Sequence, residues 1–174
     1  MVPLSEYATV SKSATLNEAV SALRASQEGA GKKYPNMAIL IFDENRRIVG
    51  KIDMISVLRS LEPKYDQMLP RKDSLHMGMS LQFQKTVLEQ LKLWELPMED
   101  ICKKAAAKKV ENFMTTPTEG EYIDRKATLD EAIHQLVMDS HQSLLVTEEK
   151  DIVGILRLVD VFEEISKAIS ACEL

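Results

Sequence analysis

Few residues in this 174-residue chain have the type and spacing that chemistry requires. His134 and His141 stand seven apart, two helical turns, but no third ligand and no HExxH spacing accompanies them. His76 is isolated, and all three histidines are expected at the surface. Cys102 and Cys172 form no CxxC pair, so neither a zinc knuckle nor a redox dithiol is indicated. GAGKK at 29–33 has the look of a phosphate-cradling loop. Ser26, however, lies where the first glycine belongs, and Lys33 replaces the Ser or Thr that would meet magnesium. No G-x-S-x-G elbow, recognisable Cys/His pairing or paired metal carboxylates stands out. The acidic pairs Asp43–Glu44 and Glu148–Glu149 fall at predicted turns, where solvation explains them. The chain therefore reads as a non-enzyme needing no metal.

The bulk properties narrow the remaining classes. With 45% hydrophobic and 28% charged residues the chain is globular, with room for one domain or two small units sharing a core. A net charge of -5 argues against nucleic-acid binding, which is driven by phosphate neutralisation. KKAAAKK at 103–109 reads as a solvated helix face. The longest apolar stretch, Met37 to Phe42, is far short of the ~20 residues that span a bilayer. MVPLSEYATV has no basic, apolar signal-peptide pattern, and two unpaired cysteines suit a reducing compartment, so a cytoplasmic location is expected.

The chain repeats itself. ATLNEAVSAL at 14–23 returns as ATLDEAIHQL at 127–136, and IVGKIDMISVL at 48–58 returns as IVGILRLVDVF at 152–162. Ten of the 21 aligned positions are identical. The offset is 113 residues in the first block and 104 in the second, which puts nine extra residues in copy one, around Glu28 to Pro35.

Each copy must then build the same elements. Thr15 and Thr128 are expected N-caps, with Glu18 and Glu131 completing capping boxes. Leu16, Ala19, Val20 and Leu23 form one apolar helix face, repeated by Leu129, Ala132, Ile133 and Leu136. Strands follow at Met37–Phe42 and Ser143–Thr147, charged turns at Asp43–Arg47 and Glu148–Asp151, and short strands at Ile48–Ile52 and Ile152–Leu156. A second helix closes each copy, with apolar positions Met54, Val57, Leu58 and Leu61 in one and Leu158, Val161, Phe162 and Ile165 in the other. One such unit buries too little surface to be stable alone, so the two are expected to pair about a pseudo-twofold axis.

In this order the pattern resembles the CBS-domain family in its tandem arrangement. The residues that carry the likeness are VENFMTTP at 110–117, ATL-x-EA in both copies, SLLVTEEKDIVG at 143–154 and the two glycine-to-helix junctions. YATVSKSATL at 7–16 resembles the stretch just after a CBS opening. The resemblance implies an α/β (α+β) fold of two β-α-β-β-α units: CBS domain 1 over 1–61, a helical insertion over 62–109 and CBS domain 2 over 110–174. It also implies a regulatory ligand, AMP, ADP, ATP or S-adenosylmethionine, bound between the copies, and a homodimer.

The family signature G-h-x-[TS]-x-x-[DN], with h hydrophobic, implies where the ligand would sit. In copy two the matching residues are Gly154, Ile155, Leu156, Arg157 and Asp160. Asp160 matches the ribose position. Arg157 replaces the hydroxyl residue, a poor N-cap whose guanidinium suits bidentate phosphate binding at a helix start. The alternatives are a surface arginine and an aspartate that merely complements the helix dipole. In copy one the matching residues are Gly50, Lys51, Ile52, Asp53 and Ser56. Asp53 is a good N-cap but repels phosphate, and Ser56 stands where a carboxylate should hold ribose. This cleft is expected to be the weaker one, either packing only or favouring a neutral or cationic ligand, with Lys51 placed to soften the repulsion.

Residues 62–109 are too long for a linker. Pro63 and Pro70 bracket an irregular start. Val87, Leu88, Leu91 and Trp94 then mark a helix that Pro97 stops, and a second helix follows with Glu99 and Asp100 in its first turn. This hairpin either packs on its own module or docks a partner protein through Trp94. Two functional readings follow: an adenine-nucleotide sensor that signals to a partner, or an interaction scaffold with degenerate clefts.

Overall fold

The computed structural model describes residues 1–28, 34–65 and 80–171. The GAGKK run, Pro70, His76 and Cys172 lie outside the described residues. In chain order the strands are β1 (Val2–Pro3), β2 (Thr9–Ser11), β3 (Ala38–Phe42), β4 (Ile48–Asp53), β5 (Tyr122–Asp124), β6 (Ser143–Glu148) and β7 (Asp151–Arg157). The α-helices are α1 (Leu16–Glu28), α2 (Met54–Leu61), α3 (Leu81–Gln90), α4 (Met98–Ala106), α5 (Leu129–Met138) and α6 (Leu158–Ala171).

Two sheets result, one ordered β2-β3-β4 and the other β1-β7-β6-β5. Their halves are copies. β2 lies parallel to β3 and β5 parallel to β6, while β3–β4 and β6–β7 are antiparallel hairpins. Both hairpins carry a register shift at the same place, Ile41/Phe42 and Val146/Thr147, just across from Gly50 and Gly154. A repeat that reaches the irregularities is a duplicated unit.

The capping boxes start the helices as expected. The Thr15 amide donates to the Glu18 carboxylate at 2.6 Å and the Glu18 amide to the Thr15 hydroxyl at 3.3 Å. Thr128 and Glu131 repeat the exchange at 2.8 and 3.5 Å. Thr15 sets the Glu18 carboxyl below its usual range through that amide hydrogen bond.

The sheets are buried on both faces, which explains their unbroken apolar runs. Ile39 and Ile41 of β3 face α1 in a core with Ala19, Leu23 and Ile52. Leu144 and Val146 of β6 face α5 with Ala132, Leu136 and Val161. The intervening residues point the other way. Ala38 and Leu40 meet Leu145 and Ile155 in a third core, completed by Val2 and Tyr7, that joins the two units. The expected shared core is this sheet-on-sheet layer.

The units also exchange strands. β1 leaves its own sheet to pair with β7, Val2 opposite Ile155 and Pro3 opposite Gly154. In return Thr115 bridges Lys51 of β4 through two amide hydrogen bonds of 2.9 Å. Adding 113 to Val2 gives Thr115, and subtracting 104 from Ile155 gives Lys51, so this is one contact made twice about the pseudo-twofold axis.

The second helices divide their apolar positions. Val57 and Leu61 pack inward, as do Val161 and Ile165, but Met54, Leu58, Leu158 and Phe162 are exposed. Each second helix thus shows two apolar stripes, one packed and one open.

The insertion belongs to unit one. α3 ends at Gln90, before Trp94 and well short of Pro97, so Pro97 is not what stops it; Pro97 does precede α4 as predicted, and Ala105 enters the first core with Val110 and Phe113. The Leu16 amide donates to the Lys108 carbonyl, and the Lys108 ammonium reaches the Ser60 carbonyl at 2.6 Å. Trp94 turns back on its own chain. Its indole N–H donates to the Tyr65 hydroxyl at 3.2 Å, and its backbone amide is held by the buried Glu62 carboxylate at 3.1 Å.

Candidate functional site

Arg157 ends β7 and precedes the first residue of α6, the position that an N-cap would occupy. An arginine side chain has no acceptor to offer there. Asp160, at the third helical position, supplies one instead: it reaches back to the Arg157 amide at 3.4 Å and grips the guanidinium. The Arg157 Nε donates to Asp160 Oδ2 at 2.9 Å and Nη2 to Oδ1 at 2.5 Å, a bidentate pair across three residues. The two residues that the sequence singled out are therefore brought together, and they bond to each other.

The rest of the guanidinium crosses to unit one. Nη1 donates to the Tyr34 carbonyl at 2.8 Å and to Asn36 Oδ1 at 3.3 Å. Burial alone would raise the Asp160 carboxyl, but the Arg157 guanidinium outweighs it and holds Asp160 below the usual carboxylate range. Asp160 in turn raises Arg157 further. Tyr7, in the inter-unit core, is pushed up to about 12 by burial, with the Arg157 charge opposing and Asp160 adding.

A cleft of about 460 Å³ opens beside this pair, within the range of roughly 300–1,000 Å³ typical of small-ligand sites. Pro3 and Glu6 line it from the exchanged segment, Tyr34 from unit one, and Leu129, Leu156 and Val161 from unit two. Glu163 and Glu164 add carboxylates. Gly154 and Ile155 underlie the site, where they pair with β1. Among the described residues no group of three or more His, Cys, Asp or Glu could hold a metal.

Copy one differs at each of these points. Asp53 takes Arg157's place and caps α2, accepting the Ser56 amide at 2.7 Å, as its residue type predicts. Ser56 takes Asp160's place. Lys51 does not lean towards Asp53. Its ammonium pairs with Glu121 of unit two, both side chains being largely buried. Burial would raise Glu121, yet Lys51 and the Thr118 amide hold it below its usual value. Ile52 is fully buried in the first core. The insertion covers this side of unit one, leaving Leu16 at 4% exposure and Ser60 at 4%, where the equivalent Leu129 is 45% exposed and Glu164 lies in the open.

The sequence missed Glu6, Tyr34 and Asn36. Neither motif nor periodicity marks them, because the fold alone brings them to Arg157. His141 also departs from expectation. It is not a surface residue: its side chain is 15% exposed, with Nε2 3.5 Å from Asp139. The register of β6 against β7 makes it the counterpart of Asn36 in β3–β4, two residues before the pairs Ala38–Asp53 and Ser143–Arg157.

Residues 110–167 match the family model described as CBS domain. No curated protein matches the chain. Solved structures do. CBSX2 in complex with AMP superposes with a TM-score of 0.59 at 16% identity, covering 97% of this chain and 94% of that one. CBSX2 from Arabidopsis thaliana gives 0.58 at 16%, covering 99% and 94%. A CBS domain-containing protein from Bacillus anthracis gives 0.59 at 17%, covering 96% and 89%. At these identities the likeness is one of fold.

Proposed function

We propose that the chain is a regulatory, non-catalytic CBS pair that binds an adenine nucleotide of the AMP, ADP or ATP class in the cleft at Gly154–Asp160; the match of residues 110–167 to the CBS-domain model and the CBS-pair fold of the whole chain support this reading. Occupancy would be passed to a protein partner, for which the exposed insertion offers surface. The observation that carries this reading is the Arg157–Asp160 pair at the start of α6, opening on a cleft of ligand size. A helix N-terminus and a guanidinium suit phosphate, and a carboxylate held ionised accepts hydrogen bonds from ribose hydroxyls. The complex of CBSX2 with AMP supports the ligand class. Glu6, Glu163 and Glu164 also line the cleft, Glu164 paired with Lys167.

The covered, Asp53-bearing cleft of copy one is the weaker site; a cationic nucleoside such as S-adenosylmethionine suits its charge better than a nucleotide. A homodimer would bury the stripes Met54/Leu58 and Leu158/Phe162, which are exposed at equivalent places in both units. Those stripes also favour a second reading, an interaction scaffold.

Thermal stabilisation by AMP, ADP, ATP and S-adenosylmethionine separates the two. A true ligand at a hundredfold excess over its Kd adds about 2.7 kcal/mol. Silence from all four leaves the scaffold standing. Tight nucleotide binding indifferent to Asp160→Ala would put the ligand elsewhere.

A further inference from the structure

The Arg157 guanidinium has five N–H donors, and four are engaged: two on Asp160, one on the Tyr34 carbonyl and one on Asn36. A bidentate phosphate needs two, so it must displace something. The bonds to Asp160 join opposite charges at 2.5 and 2.9 Å. Those to unit one end on neutral oxygens, and the one to Asn36 is long, at 3.3 Å. The Nη1 edge is thus the one that yields.

Asn36 is the residue this would disturb. It is fully buried and belongs to the other unit. Its Nδ2 donates to the Glu6 carbonyl at 3.1 Å, and its own carbonyl accepts from Gln27 Nε2 at 2.6 Å. It therefore ties together α1, the segment after β1 and the arginine beside the cleft. A buried amide oxygen that loses its donor must find another or pay its desolvation. The rearrangement is then passed to Glu6 and Gln27.

We propose that Asn36 competes with a ligand's phosphate for Arg157 and so acts as a positioning residue that reports occupancy of the cleft to unit one. This rests on reading the cleft as a nucleotide site. Copy one has no such device: His141 stands in Asn36's place, and Asp53 offers no guanidinium.

The test is calorimetric titration of the full chain with AMP and with adenosine, which has no phosphate. Removing the competitor with Asn36→Ala should tighten AMP by about threefold to tenfold, the worth of one modest hydrogen bond, and leave adenosine where it was. Asn36→Asp makes the competitor anionic and should weaken AMP by a similar factor. A merely structural Asn36 would move both ligands together and downward in both variants, and that result overturns the proposal. If circular dichroism shows that neither variant folds, Arg157→Lys decides. Lysine keeps the charge but lacks the planar fork that lets one side chain hold Asp160 and a phosphate bidentately, so the ratio of AMP to adenosine affinity must fall, and an unchanged ratio overturns the proposal. Failure of wild type to bind either compound refutes the nucleotide site itself; AMP binding indifferent to Asn36 refutes only the relay.

Discussion

Alanine at Gly154 and alanine at Gly50 should have unequal costs, although the two glycines are copies of each other. A Cβ on Gly154 would lie 2.7 Å from the Val2 carbonyl oxygen and 2.9 Å from Met1 Sδ. A Cβ on Gly50 would meet only the Met114 side chain, 2.6 Å from its Sδ. Backbone cannot swing aside, so in the first case β1 must back away from β7, stretching the Val2–Ile155 pairing and opening Val2, which is now buried. Overpacking of this kind costs about 1–3 kcal/mol. A methionine has three rotatable bonds and yields more easily, for about 1 kcal/mol or less. Both substitutions also restrict the unfolded chain and regain roughly 0.4–1 kcal/mol; that gain cancels in the comparison. Gly154→Ala should therefore be the less stable variant by about 1–2 kcal/mol, or roughly 2–8 °C in Tm for a chain of this size. Urea unfolding followed by circular dichroism and by the fluorescence of Trp94, the one tryptophan, measures it. Equal losses, or a reversed order, would mean that β1 is not held against β7 as described.

Lys51→Met should strip the buried Glu121 of its counterion at a cost of about 2–4 kcal/mol at neutral pH. Glu121 and Asp160 both titrate below their unfolded values, so the folded state binds fewer protons. Their stabilisation is whole above the ordinary carboxylate value of about 4 and drains as pH falls through the lowered folded values. The urea midpoints of wild type and Lys51→Met should accordingly converge in acid, and parallel curves from pH 7 to pH 3 would count against the ion pair. Phe162→Glu puts a charge on a side chain that is 66% exposed and should not unfold the chain. If the α2/α6 stripes form the dimer, it will shift light-scattering mass from two copies to one; an unchanged mass would assign the stripes to something else.

What the sequence disclosed was what repeats and what alternates. ATL-x-EA carries its own cap, so both first helices begin where Thr15 and Thr128 say, and the apolar runs ending at Phe42 and Thr147 could only be strands buried on two faces. Contacts between segments far apart in the chain left no such mark. Val2–Pro3 pairs with a strand some 150 residues away through the backbone, which leaves no signature in side-chain type. Asn36 meets Arg157 because two sheets stack, and nothing about an asparagine before a strand announces it. Nor does a glycine-to-helix junction announce that Arg157 and Asp160, three residues apart, bond to each other. Periodicity gives Met54, Val57, Leu58 and Leu61 as apolar positions of one helix and is silent on which of them lie open.

The exchange of strands explains why a duplicated unit should have clefts at all. Each glycine junction is crossed by the opening segment of the other copy, Met1–Pro3 over Gly154 and Met114–Thr115 over Gly50. The start of each second helix thus faces residues from both units, and whatever sits there touches both. Symmetry would make the two clefts equal, and the chain breaks it twice. Lys108 and its neighbours cover copy one, closing over Leu16 and Ser60, while copy two carries the guanidinium of Arg157 where copy one has the carboxylate of Asp53. These changes act in the same direction, concentrating anion chemistry in the cleft left open. On the proposed reading such a module would have one ligand site and one covered counterpart, and a ligand at the site would pull on the bonds to Tyr34 and Asn36, which belong to the unit carrying the insertion. Those bonds would give a signal one route to a partner docked on that insertion, beside the inter-unit core and the Lys51–Glu121 pair.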